Sequence, residues 1–137
     1  TYDPAAEPLR GRGLRYLMVD ELRRRPSMTV AELVAVIDGY GFTLTGRPSK
    51  VVSDTLRWEI RAGRVERLAR GLYRYRPTRR STMRRVVIFA RLCRRWMYAA
   101  QTGARLPRVP DEKRTPYRRL HDQNRPPWGH LGWLWTT

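Results

Sequence analysis

Cysteine, histidine and lysine are nearly absent from this chain of 137 residues, which holds one cysteine, Cys93, two histidines and two lysines, Lys50 and Lys113. A single thiol excludes an internal disulfide, and with His121 and His130 remote from it in sequence it makes no zinc ligand set. No apolar run approaches the roughly 18 to 20 residues of a membrane span. The opening TYDPAAEPLRGRG has no apolar core of the kind a signal peptide carries. These absences lead to the expectation of a cytoplasmic protein with no membrane partner. Catalytic signatures are missing too: there is no glycine-rich phosphate loop, no metal-ligand spacing and no nucleophile elbow. His121 and Asp122 fall in a polar stretch that reads as surface, and Cys93 falls on the apolar side of its helix, as a small packed side chain. Neither an enzyme nor a cofactor is expected.

One further absence is local. From residue 67 to residue 110 there is no acid and no lysine, but there are thirteen arginines, and this segment supplies most of the formal net charge of +17. Residues 1–66 are nearly balanced, with eleven bases against nine acids, and 111–137 carry five against three. Mixed charges serve solubility, whereas a concentrated block of one sign points to a polyanionic partner, here nucleic acid.

A chain of this length supports one domain with extensions. After a Pro- and Gly-marked arm, LRYLMVDELRRR places Leu14, Leu17, Met18 and Leu22 on one face of a first helix that Pro26 stops. In MTVAELVAVIDGYG, Thr29 and Glu32 form a capping-box pattern, and Leu33, Val36, Ile37 and Tyr40 form the apolar stripe of a second helix ending at Gly39 and Gly41. The third helix, PSKVVSDTLRWEIRAG, opens on Pro48 and closes on Gly63. Its Lys50, Ser53, Asp54, Arg57 and Arg61 share one side, away from Val51, Val52, Leu56 and Ile60. Glu59 lies in the apolar arc and is expected to pair with an arginine, for instance Arg15.

The next stretch, RVERLARGLYRYR, reads as a strand over 64–69, a turn at Arg70-Gly71 and a return strand over 72–76. Tyr73 and Tyr75 alternate with Arg74 and Arg76, which sends the tyrosines inward. Val65 and Leu68 do not share parity, so the first strand needs a bulge or a late start. The linker GFTLTGRPS is longer than a tight turn and is a candidate for a small first strand, or for an approach to nucleic acid through Arg47.

Three helices followed by a hairpin is the order of a winged helix-turn-helix domain. The stretch RAGRVERLARGLYRYR resembles the helix end and wing of the winged-helix domains in AbiE-type abortive-infection antitoxins. That resemblance implies duplex DNA binding and transcriptional regulation, with helix three in a major groove and the wing on a neighbouring backbone. Position by position it assigns Lys50, Ser53, Asp54, Arg57 and Arg61 to the bases or their flanking phosphates and Arg67, Arg70, Arg74 and Arg76 to the wing. Arg47 and Ser49, before and at the start of helix three, and Arg79 and Arg80, after the wing, complete the expected DNA-binding set. A sequence-neutral nucleoid-type binder and a structural or RNA-binding component of a ribonucleoprotein stay open as alternatives.

Ser81 can cap a helix over 81–101, in which Arg84, Arg91 and Arg95 share a narrow stripe. Its remaining surface, with Val86, Phe89, Leu92, Trp96 and Met97, is too broad for water. Two coverings are open: a symmetry mate, giving a homodimer through residues 82–100, or core completion within one chain. The proline-rich remainder carries Trp128, Trp133 and Trp135. With Trp96 these are expected to dock, on this domain, on a second copy or on a protein partner. The expected fold is therefore mainly α with a small β-hairpin wing. An arm spans 1–12, a winged helix-turn-helix domain 13–78, a basic amphipathic helix 81–101 and an extended Trp/Pro-rich tail 102–137.

Overall fold

A computed structural model describes residues 7–105 and 126–128. It is mainly helical, with four helices and one small antiparallel sheet: α1 (Gly11–Arg23), β1 (Met28–Thr29), α2 (Val30–Gly39), α3 (Pro48–Arg61), β2 (Val65–Ala69), β3 (Leu72–Tyr75) and α4 (Arg80–Thr102). Local chemistry accounts for most of the boundaries. Thr29 caps α2 reciprocally: its Oγ1 accepts from the Glu32 amide at 3.1 Å and its own amide donates to Glu32 Oε1 at 2.9 Å. Pro48 occupies the first turn of α3, where a missing amide proton is harmless. Ser81 does not cap α4, because that helix starts earlier, at Arg80, with Arg79 as an N-cap that makes no side-chain bond.

The sheet runs in the order β1-β3-β2. Met28 lies opposite Tyr73 and Thr29 opposite Leu72, while Val65, Glu66 and Arg67 lie opposite Tyr75, Arg74 and Tyr73. The register shifts between Arg67 and Ala69, so the bulge that the parity conflict required is present. At the turn, Gly71 takes φ +76, a conformation closed to most side chains. The third strand is Met28–Thr29 and does not come from the linker before α3. The chain released by Pro26 runs extended beside Tyr73 and Leu72, whereas in the linker Thr43 gives its carbonyl to the amide of Leu9 at 2.8 Å.

The core is built around α1, which is buried over most of its circumference, from Leu14 and Tyr16 through Leu22. α2, α3 and the hairpin cover part of it, and α4 covers the rest with Val86, Phe89, Leu92, Cys93, Trp96 and Met97. The broad apolar face of α4 is thus buried by the chain's own first helix. Trp96, expected at a partner surface, is fully enclosed in this core. Burial also pushes the Cys93 thiol well above its ordinary value, which keeps it protonated. Trp128 docks back on the domain: its indole meets Phe42 edge-on at 5.0 Å and donates to the Glu7 carbonyl at 3.0 Å. Gly13 permits this contact, because a Cβ there would stand 2.5 Å from the Trp128 Cβ. Trp133 and Trp135 lie outside the described residues.

A buried ionic group ties α4 to α1. Asp20 and Glu21 are almost completely enclosed. Arg94 Nη2 reaches Asp20 Oδ2 at 2.7 Å and Glu21 Oε1 at 2.9 Å, while its Nε donates to the Tyr40 hydroxyl at 3.1 Å. Tyr40 in turn donates to Glu21 Oε1 at 2.5 Å, and Arg25 and Arg23 serve the outer oxygens of Glu21 and Asp20. Burial by itself would raise the Glu21 pKa, but hydrogen bonds from Tyr40, Arg25 and Arg94 outweigh it and hold the carboxyl below its ordinary value. Removing the shared cation would strand two enclosed carboxylates, so Arg94→Met should cost about 3–5 kcal/mol in urea unfolding. Because the folded Glu21 pKa is depressed, its contribution is present above the ordinary glutamate value and is lost as pH falls through the lowered one. The urea midpoint should therefore drop between pH 6 and pH 3, and by less in Glu21→Gln.

Candidate nucleic-acid interface

α3 buries Val52, Leu56 and Glu59 on one side. At about 100° per residue, Lys50, Asp54, Arg57 and Arg61 point the opposite way, and all four are exposed. Ser49 is exposed in the first turn, Ser53 is half-buried at the flank and Arg47 is exposed at the N-cap. Within the stripe, Lys50 Nζ binds Asp54 Oδ2 at 2.9 Å and Arg57 Nη1 lies 3.8 Å from Asp54 Oδ1. The Lys50 hydrogen bond, helped by the charges of Lys50 and Arg57, lowers the Asp54 pKa. One carboxylate thus serves two cations, and the stripe keeps a net positive charge.

Glu59 pairs with Arg64, not Arg15. Arg64 Nε reaches Glu59 Oε2 at 2.5 Å, and the Arg64 amide bonds the Glu59 carbonyl at 3.1 Å, so the turn that ends α3 delivers this arginine back to the helix. Burial would lower the Arg64 pKa, but the hydrogen bond and charge of Glu59 outweigh it and raise it. Arg15 instead lies over the Trp58 ring at 5.5 Å. Trp58 lies beside this stripe and was not singled out by the apolar pattern of α3. It falls outside the buried arc and is 54% exposed. An indole left in water between Arg57 and Arg61 was the available signal.

The hairpin packs against α3 through β2. Tyr73 and Tyr75 turn toward the core, as their alternation requires, and Arg74 and Arg76 turn outward. Arg70 is exposed at the turn, and Arg67 is exposed with its Nε on the Ala69 carbonyl at 3.2 Å. Arg74 is not free: it forms an ion pair across the strands with Glu66, directly opposite it in register. Arg79 and Arg80 are exposed between the hairpin and α4.

The arginine block is therefore divided. Arg94 is enclosed with Asp20 and Glu21, and Arg74 is matched by Glu66. Of the others within the described residues, Arg67, Arg70, Arg76, Arg79 and Arg80 lie on and just after the hairpin. Arg84, Arg91 and Arg95 form the outer line of α4 together with Ile88 and Tyr98, and Arg85 in the same helix and Arg105 just after it are exposed as well. The hairpin packs on α1 and α3, and α4 on α1, so the exposed arginines of the block sit on two elements and on the residues that join them.

No protein-family model, curated protein or solved structure matches this chain. Among the described residues there is no group of three His, Cys, Asp or Glu side chains able to hold a metal ion, and no helix is long and apolar enough to cross a membrane. The Glu66–Arg74 pair yields a direct test. Glu66→Gln should release Arg74 and raise the salt concentration needed to elute the protein from heparin, while Arg74→Ala should lower it.

Proposed function

We propose that this chain is a winged helix-turn-helix protein that binds duplex DNA, with α3 in the major groove and the β2–β3 hairpin as a wing on the adjacent backbone. One observation carries the reading. The side of α3 opposite its core stripe is a continuous exposed line of Lys50, Asp54, Arg57 and Arg61, and the hairpin packed beside it adds Arg67, Arg70 and Arg76. The helix-helix-helix-hairpin order, with a short strand between the first two helices completing the sheet, favours the same reading. The resemblance of residues 61–76 to the wing of AbiE-type antitoxins makes a transcriptional regulator the function this proposal favours.

The division of labour follows from chemistry. Arginine on a groove-facing helix reads guanine edges through two parallel hydrogen bonds, and Arg57, only loosely tied to Asp54, is the candidate reader. Wing arginines contact phosphates, which position the protein without carrying sequence information. Ser49, Ser53 and Arg47 flank the reader, and Arg79 and Arg80 extend the phosphate contacts.

Duplex affinity should fall with salt at a log-log slope near 0.9 per phosphate neutralised. Arg57→Ala should weaken one selected sequence by about 1–3 kcal/mol more than random duplex, whereas Arg70→Ala should weaken all duplexes alike and reduce the salt slope by about one. Equal losses from both substitutions on every sequence would instead indicate a sequence-neutral, nucleoid-type binder. Affinity unchanged between 50 and 500 mM salt would overturn the proposal.

A further inference from the structure

Beside the outer face of α3, the last turn of that helix and α1 border an open surface cleft of about 540 Å³, within the size range of small-ligand sites. Five guanidinium groups border it: Arg12 and Arg15 from α1, Arg61 from α3, Arg64 from the following turn and Arg85 from α4. Trp58 and Tyr16 supply aromatic walls, and no carboxylate is among the lining groups. Glu59, which binds Arg64, is itself fully buried.

Glu59 already compensates Arg64, and the other four like charges around the space repel one another unless a further anion joins them. Arg12 carries the clearest mark of this. Burial first, then the charges of Arg15, Arg85 and Arg64, depress its pKa against the opposing pull of Tyr16. Its Nε is enclosed and has no hydrogen-bond partner among the described residues, an arrangement that costs stability until an acceptor arrives. The aromatic rings meanwhile hold two of the cations without consuming their donors. Arg12 lies 5.3 Å from the Tyr16 centroid and Arg15 lies 5.5 Å from that of Trp58. A ring engages the face of a guanidinium and leaves its in-plane N–H edges free for oxygen. A carboxylate fills one such fork, whereas several forks around one cleft fit the clustered oxygens of phosphate. Trp58, half exposed at the rim, adds a surface on which a base can stack.

We propose that this cleft binds a nucleoside phosphate, with its phosphate oxygens on the arginines and its base on Trp58. Two sources share that chemistry: a free nucleotide, or a nucleotide of a DNA strand lying across α3. Only the second rests on the winged-helix reading.

The test titrates the full chain with adenosine triphosphate, inorganic triphosphate and duplex DNA, using Arg85→Ala, Arg12→Gln, Trp58→Ala and, as a control outside the cleft, Arg57→Ala. For a free nucleotide, binding saturates at one site and weakens about tenfold in Arg85→Ala and Arg12→Gln. It weakens also in Trp58→Ala, which leaves inorganic triphosphate binding unchanged, and it is untouched in Arg57→Ala. For a strand nucleotide, adenosine triphosphate gives no saturable binding, and Arg85→Ala lowers duplex affinity with a salt slope smaller by about one. The proposal is overturned if Arg85→Ala and Arg12→Gln match the unmodified protein toward both nucleotide and duplex. Arg85 is exposed, so its variant carries the test should Arg12→Gln fail to fold. Nucleotide binding without duplex binding would leave the cleft standing and remove the winged-helix reading. Duplex binding sensitive to Arg57 but not to Arg85 would do the reverse.

Discussion

The contact on which the rest of this molecule depends is that of Arg94 with Asp20 and Glu21. Two adjacent carboxylates on the central helix are enclosed by packing, and enclosure is tolerable only because one guanidinium from α4 reaches both while Tyr40 from the end of α2 donates to Glu21. This arrangement fixes where α4 crosses α1. That crossing buries Trp96, Met97 and Phe89 on the first helix and leaves Arg84, Arg91 and Arg95 outside. An apolar seam alone permits several alignments of two helices, whereas a single guanidinium nitrogen bridging two carboxylates favours one.

The same constraint sorts the arginines. Those that are themselves largely buried against an enclosed acid, as Arg94 and Arg64 are, become structural, and the pKa values of these two are raised by those acids in spite of burial. Those with no acid in reach project outward, on the hairpin and along α4, or converge on the cleft beneath the end of α3. An overall charge of +17 therefore describes three different environments. Only the outward and converging groups bear on the proposed binding of nucleic acid and nucleotide. The convergence is the less common arrangement, because like charges gather in a fold only where rings, burial and backbone turns hold them there against repulsion.

Much of the architecture was legible along the chain. The Thr29–Glu32 box, Pro48 and the glycines are local signals, and each acts within a few residues of where it stands. The parity conflict between Val65 and Leu68 called for a bulge, and the register shift lies there. Ser81 misled because a capping residue type is frequent, and α4 could begin two residues earlier, with Arg79 as its N-cap. The proposed DNA-facing line on α3 was equally readable, since the helical period alone separates Lys50, Asp54, Arg57 and Arg61 from Val52, Leu56 and Glu59.

Sequence by itself determined what depends on near neighbours: the capped start of α2, the Pro48 start of α3, the hairpin with its turn at Gly71, the inward tyrosines and the excess of arginine after residue 66. Only tertiary structure decided which arginines stay free, because pairing depends on groups distant in the chain. Arg94 meets Glu21 across 73 positions, and Trp128 meets Glu7 across 121. The cleft is of the same kind. Its arginines belong to three helices and a turn, and no period or motif relates Arg12 to Arg85. They come together because α1 is buried beneath both α3 and α4, so that cations from each helix border one space.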